Sequence, residues 1–250
     1  MCVLESLDLE TLTMFQSLKC QLALVKREPI NGSKTFFSKL MKTTFTVVGQ
    51  VYKESNVEDI NLTTEAIRES LYAVKSKTDL PVRSAYVGIT GSHVSFENKV
   101  DYFDGVGAKG VITDDEVRSI PDLVTSGVES YGREVIHALP RTYRVDGHNG
   151  ISNPTGMHAS GLEVSAHVVT AGSSFVRDLE SAVTSAGVQV KGMVLEPLAS
   201  SEAVLTQKER DRGASIVDIG GGTTDIVSFR KGTINYTSVI PVGGFQFTND

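Results

Sequence analysis

The chain has 250 residues, 40% of them hydrophobic and 22% charged, with a formal net charge of −6. That length and composition suit one large soluble domain or two modest ones with a sizeable core, and the acidic balance excludes a nucleic-acid binder, which needs a basic field to meet phosphates. Two cysteines, Cys2 and Cys20, and five scattered histidines, His93, His137, His148, His158 and His167, give neither a disulfide framework nor a zinc motif; each histidine reads as an ordinary surface or core residue.

No apolar run approaches the ~20 residues that span a bilayer. Met1 to Leu24 carries Glu5, Asp8 and Glu10, unlike a signal peptide. Through residues 1–44, Leu4, Leu7, Leu12, Phe15, Leu18 and Leu22 recur at loosely helical spacing. Lys34, Lys39 and Lys42 read as a solvated basic face. TFTVVGQVY (44–52) predicts a strand, and Thr63 or Thr64 predicts the start of a helix with Ile67, Leu71 and Val74 on one face. SAYVGIT (84–90) predicts a buried strand and HVSFENKV another, followed by the turns of DGVGAKG. Thr113 before Asp114, Asp115 and Glu116 marks a helix N-terminus, with Pro121 as a kink on the way to Ser130. EVIHALPRTYRVDG predicts a strand and turn, HNGISNPTG a loop, and LEVSAHVVTA (162–171) a strand. Ser173 or Ser174 is the expected cap of a helix whose stripe is Phe175, Leu179, Val183 and Ala186, stopped by Gly187. VQVKGMVL (188–195) then predicts a strand, EPLASSEAVLTQ a helix with Pro197 in its first turn, and GASIVDI (213–219) a strand that runs into three glycines.

Those glycines carry the chemistry. In IVDIGGGTTDI, Gly220, Gly221 and Gly222 sit between Asp218 and Asp225. Bare backbone after a buried strand lets phosphate oxygens approach N–H groups. No Lys follows, so this is not a P-loop. No helix follows either, as the dinucleotide fold requires; IVSF (226–229), the turn Arg230-Lys231-Gly232-Thr233 and TINYTSVI (233–240) read as a hairpin. The glycines therefore lie in a strand–loop–strand device, where the N–H groups of Gly220 to Thr224 curl around β- and γ-phosphates and Asp218 holds Mg²⁺ through water.

DIGGGTTDI on a hairpin resembles the second phosphate motif of the actin-like ATPases. With EPLASSEAVL (196–205), VIPVGGFQFTND (239–250), YVGITGSHVSFEN (86–98), REVIHALPRTYRVDG (133–147) and NPTGMHASGLEVSAHVVTA (153–171), the chain resembles the FtsA family of bacterial cell-division proteins over roughly residues 45–250. The resemblance implies an α/β, actin-like ATPase (ribonuclease-H-like) fold, incomplete here, with an inserted small α+β subdomain called 1C. It places 45–84 and 171–207 in subdomain 1A, 85–170 in 1C and 213–250 at the start of 2A, and leaves 1–44 as a diverged N-terminal segment. It implies ATP and Mg²⁺ as ligands. Asp218 would sit in the Mg²⁺ shell; Gly220, Gly221, Gly222, Thr223 and Thr224 would wrap the phosphates. Glu196 would face the γ-phosphate, and Gly243 and Gly244 would let backbone approach the nucleotide. Phe175, Leu179 and Val183 would be core.

The first phosphate motif of the family has its nearest counterpart in Pro29-Ile30-Asn31-Gly32-Ser33-Lys34, which lacks the motif's Asp. By the resemblance, the sequence stops just after subdomain 2A begins, and subdomain 2B, the adenosine motif and the membrane-targeting amphipathic helix are missing from it. The expectation is thus a fragment that binds ATP weakly or not at all, at most a weak ATPase and mainly a binding and polymerising protein. By resemblance, the family polymerises at the inner face of the cytoplasmic membrane at the division site, tethers FtsZ through 2B, and recruits later divisome proteins through 1C. The alternatives are a pilus-assembly actin homologue, which keeps a 1C-like insert, and a DnaK-type ATP-driven chaperone, which lacks one.

Overall fold

The computed structural model describes residues 56–57, 59–78, 81–107, 110–128, 131–244 and 246, together with the backbone of five short strands: β1 (Cys2–Leu4), β2 (Thr11–Met14), β3 (Leu24–Lys26), β4 (Thr43–Phe45) and β5 (Tyr52–Lys53). Leu4 and Leu12 lie opposite each other in the antiparallel pair β1–β2. Cross-strand pairing has overridden their loosely helical spacing. Leu7, Phe15, Leu18 and Leu22, the segment Pro29–Lys34, Lys39, Lys42 and residues 46–51 of the expected strand lie outside the described residues. Thr44, Phe45 and Tyr52 fall in β4 and β5.

After β6 (Asn56–Val57) comes α1 (Ile60–Thr78). It starts three residues before Thr63, because Asp59 is the cap: its Oδ1 accepts the backbone N–H of Asn61 at 2.7 Å and of Leu62 at 3.0 Å. Thr63 and Thr64 are buried instead. The Thr64 hydroxyl donates to the Ile60 carbonyl at 2.7 Å and lies 3.3 Å from the Ala182 carbonyl of a second helix. Thr64 therefore serves helix–helix packing, and neither threonine caps the helix.

Strand β7 (Ser84–Ile89) leads to a four-stranded sheet made of β8 (Ser95–Asp104), β9 (Arg133–Val145), β10 (His148–Ile151) and β11 (Gly161–Gly172), in the order β10-β9-β11-β8. His148–Ile151, expected as loop, pairs with the end of β9, His148 opposite Val145; the two-residue turn at Asp146 and Gly147, both at positive φ, folds it back. Between β8 and β9 runs α2 (Asp114–Ser126), opened by a full capping box in which Thr113 and Glu116 satisfy each other's backbone N–H groups. Pro121 is accommodated inside this helix, which ends at Ser126 rather than nearer Ser130. Ile120 and Val124 of α2 pack on Tyr143, Val145, Leu162, Val164, Ala166 and Val168 of the sheet.

β9 departs from plain alternation twice. Its pairing with β11 shifts between Ser165 and Ala166, which face Thr142 and Pro140, and again between Val169 and Thr170, which face His137 and Val135. Arg141 and Ile136 are thus the extra residues of two β-bulges. The bulges let one strand serve two cores: Val135 and Ala138 pack with the α2 side, Ile136 and Leu139 with the opposite side.

α3 (Ser173–Ser185) follows β11, then β12 (Gln189–Leu195), which pairs parallel with β7. The cap of α3 is Gly172, with no side-chain bond, so neither serine caps it. Its buried stripe is Val176, Leu179, Ala182 and Val183. Phe175, expected in the core, is half-buried edge-on to the His93 ring, 4.4 Å between centroids. Leu179 and Val183 pack with Ala85, Val87 and Val188, and with Ile67 and Leu71 of α1. The segment after β12 forms two helices, α4 (Glu196–Val204) and α5 (Gln207–Arg212), because Thr206 and Glu209 make a second capping box that starts a new helix. The chain closes with an antiparallel meander, β13 (Ala214–Ile219), β14 (Thr224–Arg230) and β15 (Thr233–Ile240). Val227 and Phe229 of β14 pack with Ile89, Val169, Leu195 and Leu198, which joins the meander to both sheets. Among the described residues no helix is long and apolar enough to cross a membrane.

Candidate functional site

The ladder between β13 and β14 places Asp218 directly opposite Asp225 and Ile219 opposite Thr224. Gly220 to Thr223 close the end of the hairpin, with the Gly220 N–H donating to the Thr223 carbonyl at 2.8 Å. The amides of Gly221 and Gly222 meet no acceptor among the described residues. Gly220 is not in the left-handed region, and its need for glycine is spatial: a Cβ there would lie 3.2 Å from the Thr223 carbonyl oxygen. Thr223 is buried, and the Thr224 hydroxyl donates to the Val242 carbonyl at 2.8 Å.

Gly243 and Gly244 pack against this loop. The Gly244 N–H donates to the Gly220 carbonyl at 2.8 Å. A Cβ on Gly243 would stand 2.6 Å from the carbonyl oxygens of both Gly220 and Gly221. The downstream glycine pair is therefore in backbone contact with the phosphate-loop candidate itself.

Hydroxyls position the two carboxylates. Ser200 donates to Asp218 Oδ2 at 2.7 Å. Thr90, just past β7, donates to Asp225 Oδ1 at 2.5 Å, and Thr223 lies 3.3 Å from Asp225 Oδ2. Asp225 is 3% exposed. Burial raises its pKa to about 6, with the neighbouring Asp218 charge adding to the rise and the Thr90 and Thr223 bonds opposing it. Glu196 opens α4 right behind β12, half-buried, and precedes Ser200 by four residues, so the two share one face of the helix that meets Asp218. Among the described residues no cluster of three or more metal-ligating side chains occurs. A Mg²⁺ ion at Asp218 would complete its shell with water and phosphate oxygens, as that ion commonly does. A loop whose donor amides meet no acceptor among the described residues, with a carboxylate beside it, fits that ligand pair.

The structure thus brings together Asp218, Gly220, Gly221, Gly222, Thr223, Thr224, Gly243 and Gly244, with Glu196 on the helix that supports Asp218. Thr90 and Ser200 were missed in the sequence. A lone Thr after a strand and a Ser inside a helix carry no signal of their own.

A family model described as the SHS2 domain inserted in FtsA matches residues 91–170, and one for the cell division protein FtsA matches residues 215–250. The cell division protein FtsA of Pseudomonas aeruginosa is 34% identical over 200 residues, 79% of this chain and 47% of the relative. FtsA of Neisseria meningitidis is 32% identical over 197 residues, 78% of this chain and 46% of the relative. The chain belongs to the FtsA family. It spans about half the length of the curated FtsA relatives it matches. Among solved structures, the PilM–PilN type IV pilus biogenesis complex aligns with a TM-score of 0.56 at 17% identity, covering 80% of this chain and 53% of that one. That likeness shows the fold, an actin-like ATPase fold, which in this FtsA-family chain carries the SHS2 insert. The chain is an FtsA-type actin homologue.

Proposed function

We propose that the glycine loop holds the β- and γ-phosphates of ATP through the amides of Gly220 to Thr224. In this reading Asp218 sits in the shell of the accompanying Mg²⁺, kept in place by Ser200, and Glu196 faces the γ-phosphate. Gly243 and Gly244 act as the floor of the loop. The bound metal and nucleotide supply charge neutralisation and a hydrolysable phosphoanhydride. The chain's own residues orient them and exclude a side chain from the loop. The carrying observation is the hairpin: amides at Gly221 and Gly222 that meet no acceptor among the described residues, beside the Ser200–Asp218 bond.

The domain reading assigns residues 45–84 and 171–207 to subdomain 1A, 85–170 to 1C and 213–250 to the start of 2A. In the cell the protein works at the inner face of the membrane at the division site, polymerising and recruiting later division proteins through 1C, with FtsZ tethering as the task of the family's whole length. The pilus-assembly reading rests on fold likeness alone, at 17% identity, against 34% for FtsA.

Isothermal titration of the chain with ATP tests the site. Weak saturable binding that requires Mg²⁺ and falls about tenfold further in Asp218→Ala is expected, a loss of one charge-assisted contact; the weakness follows from the segment Pro29–Lys34, which lacks the Asp of the family's first phosphate motif. Binding indifferent to both Mg²⁺ and Asp218 overturns the assignment, and tight, micromolar binding overturns the expected weakness.

A further inference from the structure

The side chains joining the SHS2 insert to β15 form a continuous polar chain that the phosphate reading does not use. His167 of β11 stands directly opposite Asn98 of β8. Its Nδ1 is 2.7 Å from Asn98 Oδ1 and its Nε2 is 2.8 Å from Thr237 Oγ1, with His167 and Thr237 each 2% exposed. Burial, then the charge of Arg141, lowers the His167 pKa to about 4, so the ring is neutral at pH 7. One nitrogen must then donate and the other accept. Asn98 Oδ1 is an acceptor, so Nδ1–H donates to it and the Thr237 hydroxyl donates to Nε2. That leaves the Asn98 amide pointing at β15, where Nδ2 donates to the Asn235 carbonyl at 3.3 Å. Arg141, the extra residue of its bulge, donates to Asn235 Oδ1 at 2.8 Å. Phe96 stacks on the His167 ring, 6.3 Å between centroids.

Asn235 and Thr237 are not isolated anchors. Strand β15 is laddered to β14 from Arg230 back to Thr224, with Thr237 opposite Val227 and Ile240 opposite Thr224. Thr224 is the residue where the glycine loop becomes β14. Loop and seam are therefore two ends of one hydrogen-bonded meander.

We propose that this seam couples the insert to the glycine loop, so that a displacement of the loop moves β14 and β15 and, through Asn235 and Thr237, the residues Asn98, Arg141 and His167. What the coupling transmits in the cell rests on the phosphate reading above; the coupling itself does not. Hydrogen exchange of the full chain tests it. Thr224→Val removes the hydroxyl bond to Val242 and perturbs the loop without touching the seam. Exchange in β8 and β11 should then rise about fivefold, the scale of one lost hydrogen bond expressed in local opening. In an Asn235→Ala/Thr237→Val background the same loop substitution should leave β8 and β11 within about twofold of that background. Asn235 is exposed, so Asn235→Ala alone serves as the background if the double variant does not fold. Indifference of β8 and β11 to Thr224→Val in the parent chain, or an equal response in the seam variant, overturns the coupling. Adding MgATP in the same experiment separates the two readings. Protection confined to the loop, with β8 and β11 unmoved, overturns the coupling and keeps the nucleotide. A response to Thr224→Val with no effect of MgATP does the reverse.

Discussion

Replacing Gly243 by Ala probes the contact that closes the glycine loop. The added Cβ would stand 2.6 Å from the carbonyl oxygens of Gly220 and Gly221 and 2.7 Å from the Gly221 carbonyl carbon. All three atoms are backbone, so no side chain can swing aside; the two segments must part. Gly243 is not at left-handed φ, so conformational strain adds nothing and the cost is steric. Overpacking of this kind costs about 1–3 kcal/mol. Parting the segments also weakens the Gly244 N–H bond to the Gly220 carbonyl, worth about 1 kcal/mol. A total near 2–4 kcal/mol corresponds to a fall in Tm of roughly 4–15 °C for a chain of this size. Thermal unfolding followed by circular dichroism measures it, with hydrogen exchange at Gly220–Thr224 as the local readout. A control comes from Gly161, where a Cβ would run into the Tyr102 ring. Tyr102 is 64% exposed and free to rotate away, so Gly161→Ala should cost about 1 kcal/mol or less. Equal effects of the two substitutions, or a Gly243→Ala Tm within a degree of the parent, would refute the steric argument.

Three further outcomes are expected. Burial raises the folded pKa of Asp225 to about 6, above the ordinary carboxylate range, so its protonated form favours the fold: that contribution is whole below about pH 4 and is lost as pH rises to 6. Asp225→Asn, which keeps an acceptor for Thr90, should flatten the urea midpoint across that window, and an unchanged pH slope would count against the burial argument. Arg210 pairs with Glu202, donates to the Ser201 carbonyl at 3.0 Å and lies 5.2 Å over the Phe229 ring. Because both pair members are largely buried, Arg210→Ala should destabilise by about 3 kcal/mol in urea unfolding, and Arg210→Lys should recover only part of it. Thr113→Ala removes one half of the capping box of α2 and should cost about 1 kcal/mol, read as faster exchange across Asp114–Ser126.

Much of this chain was legible because its signals are local. Thr113 followed by three acidic residues gave α2, and alternation with a Lys-Gly turn gave the hairpin β14–β15. The misses are tertiary. Thr63 and Thr64 look like caps in sequence, yet Asp59 caps α1 while Thr64 reaches Ala182. His148–Ile151 holds a single apolar residue, too little to announce a strand that exists because β9 offers it a partner. Phe175 has the right spacing for the core but turns its edge to His93. At the candidate site the main-chain device was readable from its glycines and aspartates, whereas Thr90 and Ser200 became visible only once folding brought them to Asp225 and Asp218. The seam partners His167 and Thr237 are 70 residues apart, beyond any periodicity.

The paired bulges of β9 carry an implication for how such a protein changes over generations. An ordinary one-residue insertion in a strand reverses every later side chain and ruins a core. A bulge absorbs the added residue, and its neighbours keep their faces: Ala138 and Tyr143 still look toward α2 although Arg141 lies between them. The arm that grips β15 is thus an accessory spliced into the strand. It could be lengthened, shortened or discarded by lineage without either core being rebuilt, leaving the grip between insert and meander adjustable at the scale of a single codon.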